Sequence, residues 1–357
     1  MRIGMLAPPW FPLPPKGYGG IELVVHLLTE GLVRHGHDVT LFATGDSQTL
    51  ARLSYVYGRA PSEKIATHAH IEVIHGLEAY SRAREFDVMH DHDGLAARAM
   101  GVLAHRLVGT PVVATLHGPA DPVTQEVLSS MREGLRFIAI SDYQRRGLPE
   151  LSFVATIPNA IDTDAHPWSP EKEDYLLFIG RMIADKGAHA AVEVARRLNE
   201  RLIMGGKVNE EPEREYFAEQ IEPFLSDQIY FRGEIDTETK NELYKRAKCT
   251  LFPIQWPEPF GLVMIESMAA GTPVVAFRNG SVPEVIDHGV TGFIVETVDE
   301  MVEAVKHIDE IDPAECRRVA EERFGIDRFV AAHERAYRSL LDEGPSSTTG
   351  SWTGPLI

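Results

Sequence analysis

Short, nearly continuous apolar runs alternate along the chain with longer stretches whose apolar residues recur at helical spacing. In the first half the runs are RIGMLA, HDVTLFAT, DVMHDHD, PVVATLHG, LRFIAIS and FVATIPNAID. In the second half they are YLLFIGR, RLIMGG, IYFRGE, CTLFPIQ, PVVAF and GFIVE. Each ends at a Gly, Pro, Asn, Asp or His and leads into an amphipathic stretch such as ELVVHLLTEGLVRHG, which Gly36 stops. Strands apolar on both sides, alternating with helices, imply parallel sheets covered on both faces. The pattern therefore predicts an α/β chain of two open, doubly wound domains.

The linker falls in DTDAHPWSPEKED, residues 162–174, where Pro, Asp and Glu cluster. This gives a first domain over 1–165 and a second over 170–325. A helix over 326–342, DRFVAAHERAYRSLL, is expected to pack back toward the first domain, and a Ser/Thr/Gly/Pro-rich tail over 343–357 is expected to be disordered. Two domains also suit a length of 357 residues. Open α/β sheets bind ligands beyond the carboxyl ends of their strands, so two such sheets facing each other place the candidate site in the cleft between them.

Charge removes some classes of function. A net charge of -18 argues against a nucleic-acid partner, because nothing offsets phosphate repulsion. Basic residues in the first domain are scattered, so nothing in the sequence supports a membrane surface as partner. Two cysteines, no signal-peptide pattern and no membrane-spanning run lead to the expectation of a cytoplasmic protein.

Two segments carry chemistry. In FIGRMIADKG a strand ends at Gly180 and is followed by Arg181 and Lys186, a planar fork and a point charge that suit a diphosphate. An ordinary solvated loop is the plain alternative. In EPFGLVMIE, Glu258 precedes a Pro-Phe-Gly loop and Glu266 lies inside an apolar helix. Carboxylates are seldom buried without a partner. The amides of Phe260, Gly261 and Leu262 form a helix N-terminus that favours an anion. Glu258 and Glu266 are roughly 12 Å apart at helical rise, too far to act on one bond but suited to opposite ends of a polar ligand. The bland alternatives are a dipole partner for Glu258 and a buried ion pair for Glu266.

HDHD, His90 to Asp93, leaves three readings open: a metal site, acceptor or cleft-lining contacts, and a strand end with Asp93 capping the next helix. Consecutive strand residues alternate faces, so at most two can converge. His92 and Asp93, with Asn159 of IPNAID, are assigned to the acceptor side, and no metal is expected. His37, His68, His70, His75, His105 and His189 read as surface or loop residues, and EEPEREYF as a solvated helix face.

The two glutamates with seven residues between them, GRMIADKG upstream, KGYGGIE, IPNAID and SMAAGTPVVAFRNGSVPEVIDHGVTGFIV together resemble glycosyltransferase family 4. The resemblance runs from residue 1 to about 340. It implies the GT-B fold, two Rossmann-like domains facing an interdomain cleft, and transfer of a hexose from a nucleotide-diphosphate sugar to a hydroxyl acceptor with retention of configuration. UDP-sugar is favoured and GDP-sugar second; the donor is a substrate, and no cofactor is required. Arg181 and Lys186, with Gly180 beside them, hold the diphosphate in this scheme, and Glu266 the ribose. Glu258 holds the sugar hydroxyls, with the amides of Phe260, Gly261, Leu262 and Val263. Arg232 and Gly233 of FRGE lie where the base is held, Gly19 and Gly20 match the loop that approaches phosphate and acceptor, and His117 matches a histidine that contacts the donor sugar. A phosphorylase using inorganic phosphate and a non-catalytic nucleotide-sugar-binding subunit are the competing readings.

Overall fold

The computed structural model describes residues 1–342 apart from positions 18, 66, 67, 69 and 120. The tail over 343–357 therefore lies outside the described residues. The strands are β1 (Arg2–Leu6), β2 (Asp38–Phe42), β3 (Arg52–Ser54), β4 (Val88–Asp91), β5 (Val112–Thr115), β6 (Arg136–Ala139), β7 (Phe153–Thr156), β8 (Leu176–Ile179), β9 (Leu202–Gly205), β10 (Ile229–Phe231), β11 (Cys249–Phe252), β12 (Val274–Phe277) and β13 (Gly292–Val295). The helices are α1 (Gly20–Arg34), α2 (His70–Ser81), α3 (Leu95–Val108), α4 (Pro122–Met131), α5 (Asp142–Arg146), α6 (Ala188–Leu198), α7 (Glu211–Gln220), α8 (Thr237–Arg246), α9 (Leu262–Ala269), α10 (Val282–Val285), α11 (Val298–Lys306), α12 (Pro313–Phe324) and α13 (Ile326–Asp342).

The strands form two all-parallel sheets. One has seven strands in the order β3-β2-β1-β4-β5-β6-β7; the other has six in the order β10-β9-β8-β11-β12-β13. The sequence reading has six strands in the first half; it misses β3, because a three-residue edge strand reading RLS carries neither an apolar run nor alternation. Interior strands such as β4 and β11 are buried at every position, as helices on both faces require.

The strand order reverses between β1 and β4 in the first sheet and between β8 and β11 in the second. At such a point adjacent loops leave in opposite directions and open a crevice beyond the strand ends. Those ends deliver His92 and Asp93 after β4, Arg181 and Lys186 after β8, and the Glu258 loop after β11.

Helix α13 lies against α1 and β7 of the first sheet, joining Phe329, Val330, Tyr337 and Leu340 to its core. The crossing with α1 is close: a Cβ on Gly31 would sit 2.3 Å from Val330 Cγ2. Further contacts join the halves. Ile161 bridges to Gly325. Glu284, on α10, accepts hydrogen bonds from the amides of Asp142 (2.7 Å) and Tyr143 (2.6 Å) at the start of α5. Among the described residues no helix is long and apolar enough to cross a membrane.

Candidate functional site

Glycine geometry builds the floor of the cleft. After β8 the chain makes a single turn, Ala184–Lys186, and Gly187 then takes φ 75°. A Cβ on Gly187 would lie 2.0 Å from the carbonyl oxygen of Pro253, so only glycine lets this loop press against the one after β11. The Gln255 amide donates to Asp185 O at 2.7 Å and ties the same two loops. Lys186 is thereby brought to Glu258, with Nζ 2.6 Å from Oε2. The Trp256 indole donates to the same oxygen at 3.1 Å, and Lys186 Nζ stands 4.9 Å from the Trp256 ring centroid.

The Glu258 loop is fixed from behind. Ser281 donates its amide to Glu258 O and its hydroxyl to Phe260 O, each at 2.9 Å. Gly280 approaches so closely that a Cβ would lie 2.2 Å from Glu258 O. Gly261, at φ 83°, then starts α9 without a side chain to cap it, leaving the amides of Leu262 and Val263 as an anion-favouring helix end. Glu266 is buried on α9 at 5% exposure, and its Oε1 meets Lys240 Nζ of α8 at 2.6 Å. Both glutamates thus have lysine partners, and Glu266 forms the buried ion pair of the plain reading.

Arg181 is held by Glu213 of α7, Nε to Oε1 at 2.7 Å, with Glu210 at 3.5 Å from Nη2. Burial acts to raise Glu213, but the amides of Asn209 and Glu210 and the Arg181 guanidinium outweigh it and hold the carboxyl below its ordinary range. EEPEREYF is therefore not wholly a solvated face: Glu213 is 2% exposed. Gly180 sits where Gly206 passes, and a Cβ on Gly206 would fall 1.7 Å from its carbonyl oxygen. Arg232 turns away from this group. Its guanidinium lies 5.8 Å from the Tyr230 ring centroid, and it lines a surface pocket of about 400 Å³ with Tyr175, Arg201 and Arg246. Gly233, at φ 73°, accepts from the Gly206 amide at 2.9 Å and so remains tied to the strand ends.

The opposite wall comes from the first domain. Gly19, at φ 150°, starts α1, and Gly20 meets α9 directly: a Cβ there would lie 3.0 Å from Leu262 Cδ1. Two glycine-led helix N-termini therefore converge on one place, and their dipoles add. Glu22, in the first turn of α1, is a residue the sequence reading quoted but did not use. Burial pushes its carboxyl up to about 7, despite a hydrogen bond from its own backbone amide and the charge of Lys207 across the cleft.

His117 follows β5 and pairs with His92, Nε2 to Nδ1 at 2.8 Å. His90 lies on the same side as His92, bonded to Tyr337 and Thr115, while Asp91 turns to the Tyr80 hydroxyl, so HDHD splits across two faces. Asp93 does not cap α3: the cap position is Gly94, with no side-chain hydrogen bond. Both Asp93 oxygens are buried without a partner, and burial together with Asp91 and Glu72 raises this carboxyl well above its usual range. Asn159 is 5% exposed and has an unpartnered Oδ1. His75, read as a surface residue, is 1% exposed and donates from Nε2 to Ala7 O at 2.9 Å.

Sequence reasoning missed Lys240, Glu213 and Glu22. The Lys240–Glu266 pair spans 26 residues and two helices, which no local spacing encodes. Glu213 does carry a local signal, because Glu210-Glu-Pro-Glu213 reads as a capping box with proline in the first turn.

A family model described as glycosyl transferases group 1 matches residues 162–322, and one described as glycosyltransferase family 4 matches residues 18–165. The phosphatidyl-myo-inositol mannosyltransferase of Mycolicibacterium smegmatis is 28% identical over 92% of this chain and 90% of its own. AviGT4, a glycosyltransferase involved in avilamycin A biosynthesis, superposes with a TM-score of 0.74 at 26% identity, over 96% of this chain and 99% of that one. HepE of Anabaena, solved with UDP-glucose, gives 0.73 at 18% identity over 95% and 100%, a likeness of fold.

Proposed function

The chain belongs to glycosyltransferase family 4, and from that premise we propose that it moves a hexose from a nucleotide-diphosphate sugar to a hydroxyl acceptor with retention of configuration. UDP-sugar is the first choice of donor and GDP-sugar the second, and no cofactor is required. The observation that carries the reading is the convergence of the α1 and α9 N-termini at Gly20 and Leu262, with Lys186 and Glu258 on the adjoining loops.

As the glycosyl bond to the diphosphate breaks, negative charge grows on phosphate and positive character on the sugar ring. Preorganised amides, Arg181 and Lys186 answer the first change, and loss of one such donor typically lowers turnover by about 10²–10³. The Lys186–Glu258 pair supports a division of labour. Lys186 exchanges its carboxylate for phosphate when the donor enters, and Glu258, released, accepts sugar hydroxyls. Glu266 accepts the ribose hydroxyls. Val263, beside Leu262, supplies an amide; Gly180 and Gly233 give the diphosphate and the base close access to backbone. Arg232, beside Gly233, borders the base, its guanidinium also lining the pocket with Tyr175 and Arg201. His117 meets the donor sugar, while His92, Asp93 and Asn159 border the acceptor. A phosphate oxygen of the leaving group takes the acceptor's proton, so no protein base is needed.

The test is turnover of UDP-glucose, UDP-galactose and GDP-mannose, followed by release of nucleoside diphosphate and by the anomeric configuration of the product. HepE with UDP-glucose and the mannosyltransferase relative suggest where to begin. Nucleotide release with the donor's configuration kept supports the reading. Cleavage that requires inorganic phosphate overturns it in favour of the phosphorylase.

A further inference from the structure

A row of histidines lies behind the cleft, and the proposed reaction draws only on His117 and His92. His90, His92 and His333 are each at most 2% exposed, and His117 ends the row where it reaches the cleft. The His92 and His117 rings lie edge to edge and nearly coplanar, their centroids 5.1 Å apart with 26° between their planes, as their hydrogen bond requires. His90 lies 4.0 Å from His92, centroid to centroid, and 5.5 Å from His333. His90 is clamped at both nitrogens: Nδ1 is 2.6 Å from the Tyr337 hydroxyl and Nε2 is 2.8 Å from Thr115 Oγ1. His333 donates from Nδ1 to Phe329 O at 2.9 Å, which fixes its own tautomer.

These rings are neutral. Burial is the main cause, and it holds His117 down to about 3, His333 to about 4, and His90 and His92 well below the ordinary range. The charged and titratable groups around them do not reverse this. Arg98 of α3 opposes protonation of His92 and His117, and the rings oppose one another. Asp91 ends β4 and Asp93 follows it, and both carboxyls are themselves raised by burial. Tyr337 is raised well above its ordinary value and stays a phenol.

A neutral imidazole carries one N–H and one lone pair. In the His92–His117 bond one ring must donate and the other accept, so the proton position on one dictates it on the other. If His92 Nδ1 donates, His117 keeps its proton on Nδ1; if His117 Nε2 donates, its Nδ1 is a bare acceptor. The choice decides whether a sugar hydroxyl meets a donor or an acceptor there.

We propose that His92 is a positioning residue that fixes the ring and tautomer of His117, and that His90, clamped by Tyr337 and Thr115, backs His92, so that docking of α13 on the first sheet is transmitted to the cleft. The functional importance of this rests on the reading that His117 meets the donor sugar; the physical coupling does not, and the test reads the coupling directly.

The experiment is nitrogen-15 NMR of the full chain labelled at histidine, with signals assigned by single histidine substitutions. No donor or acceptor is needed, so its outcome is separate from that of the turnover assay. In the wild type, His92 and His117 are expected as neutral, complementary single tautomers at pH 5. In His92→Phe, His117 is expected to become a tautomer mixture. His92→Asn, whose amide stands near the place of Nδ1, is expected to restore a single form. Tyr337→Phe is expected to shift the His92 and His117 signals as well as those of His90. A wild-type His117 that is already mixed or charged at pH 5 overturns the proposal without any variant. So does an unchanged single tautomer in His92→Phe, and silence of His92 and His117 in Tyr337→Phe overturns the transmission.

Discussion

At the scale of single residues, the two glutamates of EPFGLVMIE are the central case. Their type and spacing were legible because buried carboxylates demand partners. Their partners were legible only in part: Lys186 was named for phosphate and turns out to hold Glu258, whereas Lys240 arrives from another helix. A carboxylate and a phosphate compete for the charge of Lys186. Glu258→Gln is therefore expected to leave UDP affinity unchanged or raised while cutting sugar transfer by about tenfold or more. Calorimetry with UDP and UDP-glucose decides, and affinities that fall together would remove Glu258 from the sugar. Glu22 gives a pH signature. Its folded carboxyl titrates near 7 against an ordinary 4.5, so the folded state holds its proton longer than the unfolded state does. Its contribution to stability is thus lost as pH rises from about 4.5 to about 7, by on the order of 3 kcal/mol at most. Glu22→Gln escapes this loss. The melting temperature of the variant is expected to gain on the wild type across that window and to hold a constant lead above it; equal pH profiles would contradict the burial of Glu22.

Among elements, the long periodic ones were readable and the junctions were not. Continuous apolar runs gave the interior strands, since covering both faces of a parallel sheet leaves no other pattern. β3 escaped because three edge residues lack a pattern, and the three readings of HDHD stayed open because sequence cannot tell which way a side chain turns at a strand end. The glycines at the junctions were visible, but what each one admits is a tertiary fact. Gly280, at φ 57°, is the sharpest instance, with Glu258 backbone atoms within 2.4 Å of any Cβ. Gly280→Ala is expected to displace the Glu258 loop and destabilise the second domain by about 1–3 kcal/mol. Denaturant titration reads the loss, and wild-type stability with wild-type turnover would show that the loop does not need this approach.

For the molecule as a whole, two doubly wound sheets with switch points turned toward a shared cleft were readable from strand and helix order. The return of α13 to the first domain was expected from the sequence; the other contacts between the halves were not readable, because they join residues more than a hundred positions apart. Glu284 is the plainest: it lends its carboxylate to the amides that open α5 in the other half, with Arg146 at 3.6 Å. Glu284→Ala is expected to loosen closure, seen as a larger radius of gyration in solution scattering with unchanged circular dichroism. An identical scattering profile would mean that α13 and the Ile161–Gly325 bridge suffice.

The measurement that bears most directly on the cleft is calorimetric titration of the wild type and Lys186→Ala with UDP, GDP and inorganic phosphate. One nucleoside diphosphate is expected to bind the wild type and to bind Lys186→Ala about tenfold or more weakly, as loss of a charged hydrogen bond to phosphate requires. Binding of phosphate alone, or equal nucleotide affinity in the two proteins, would contradict it.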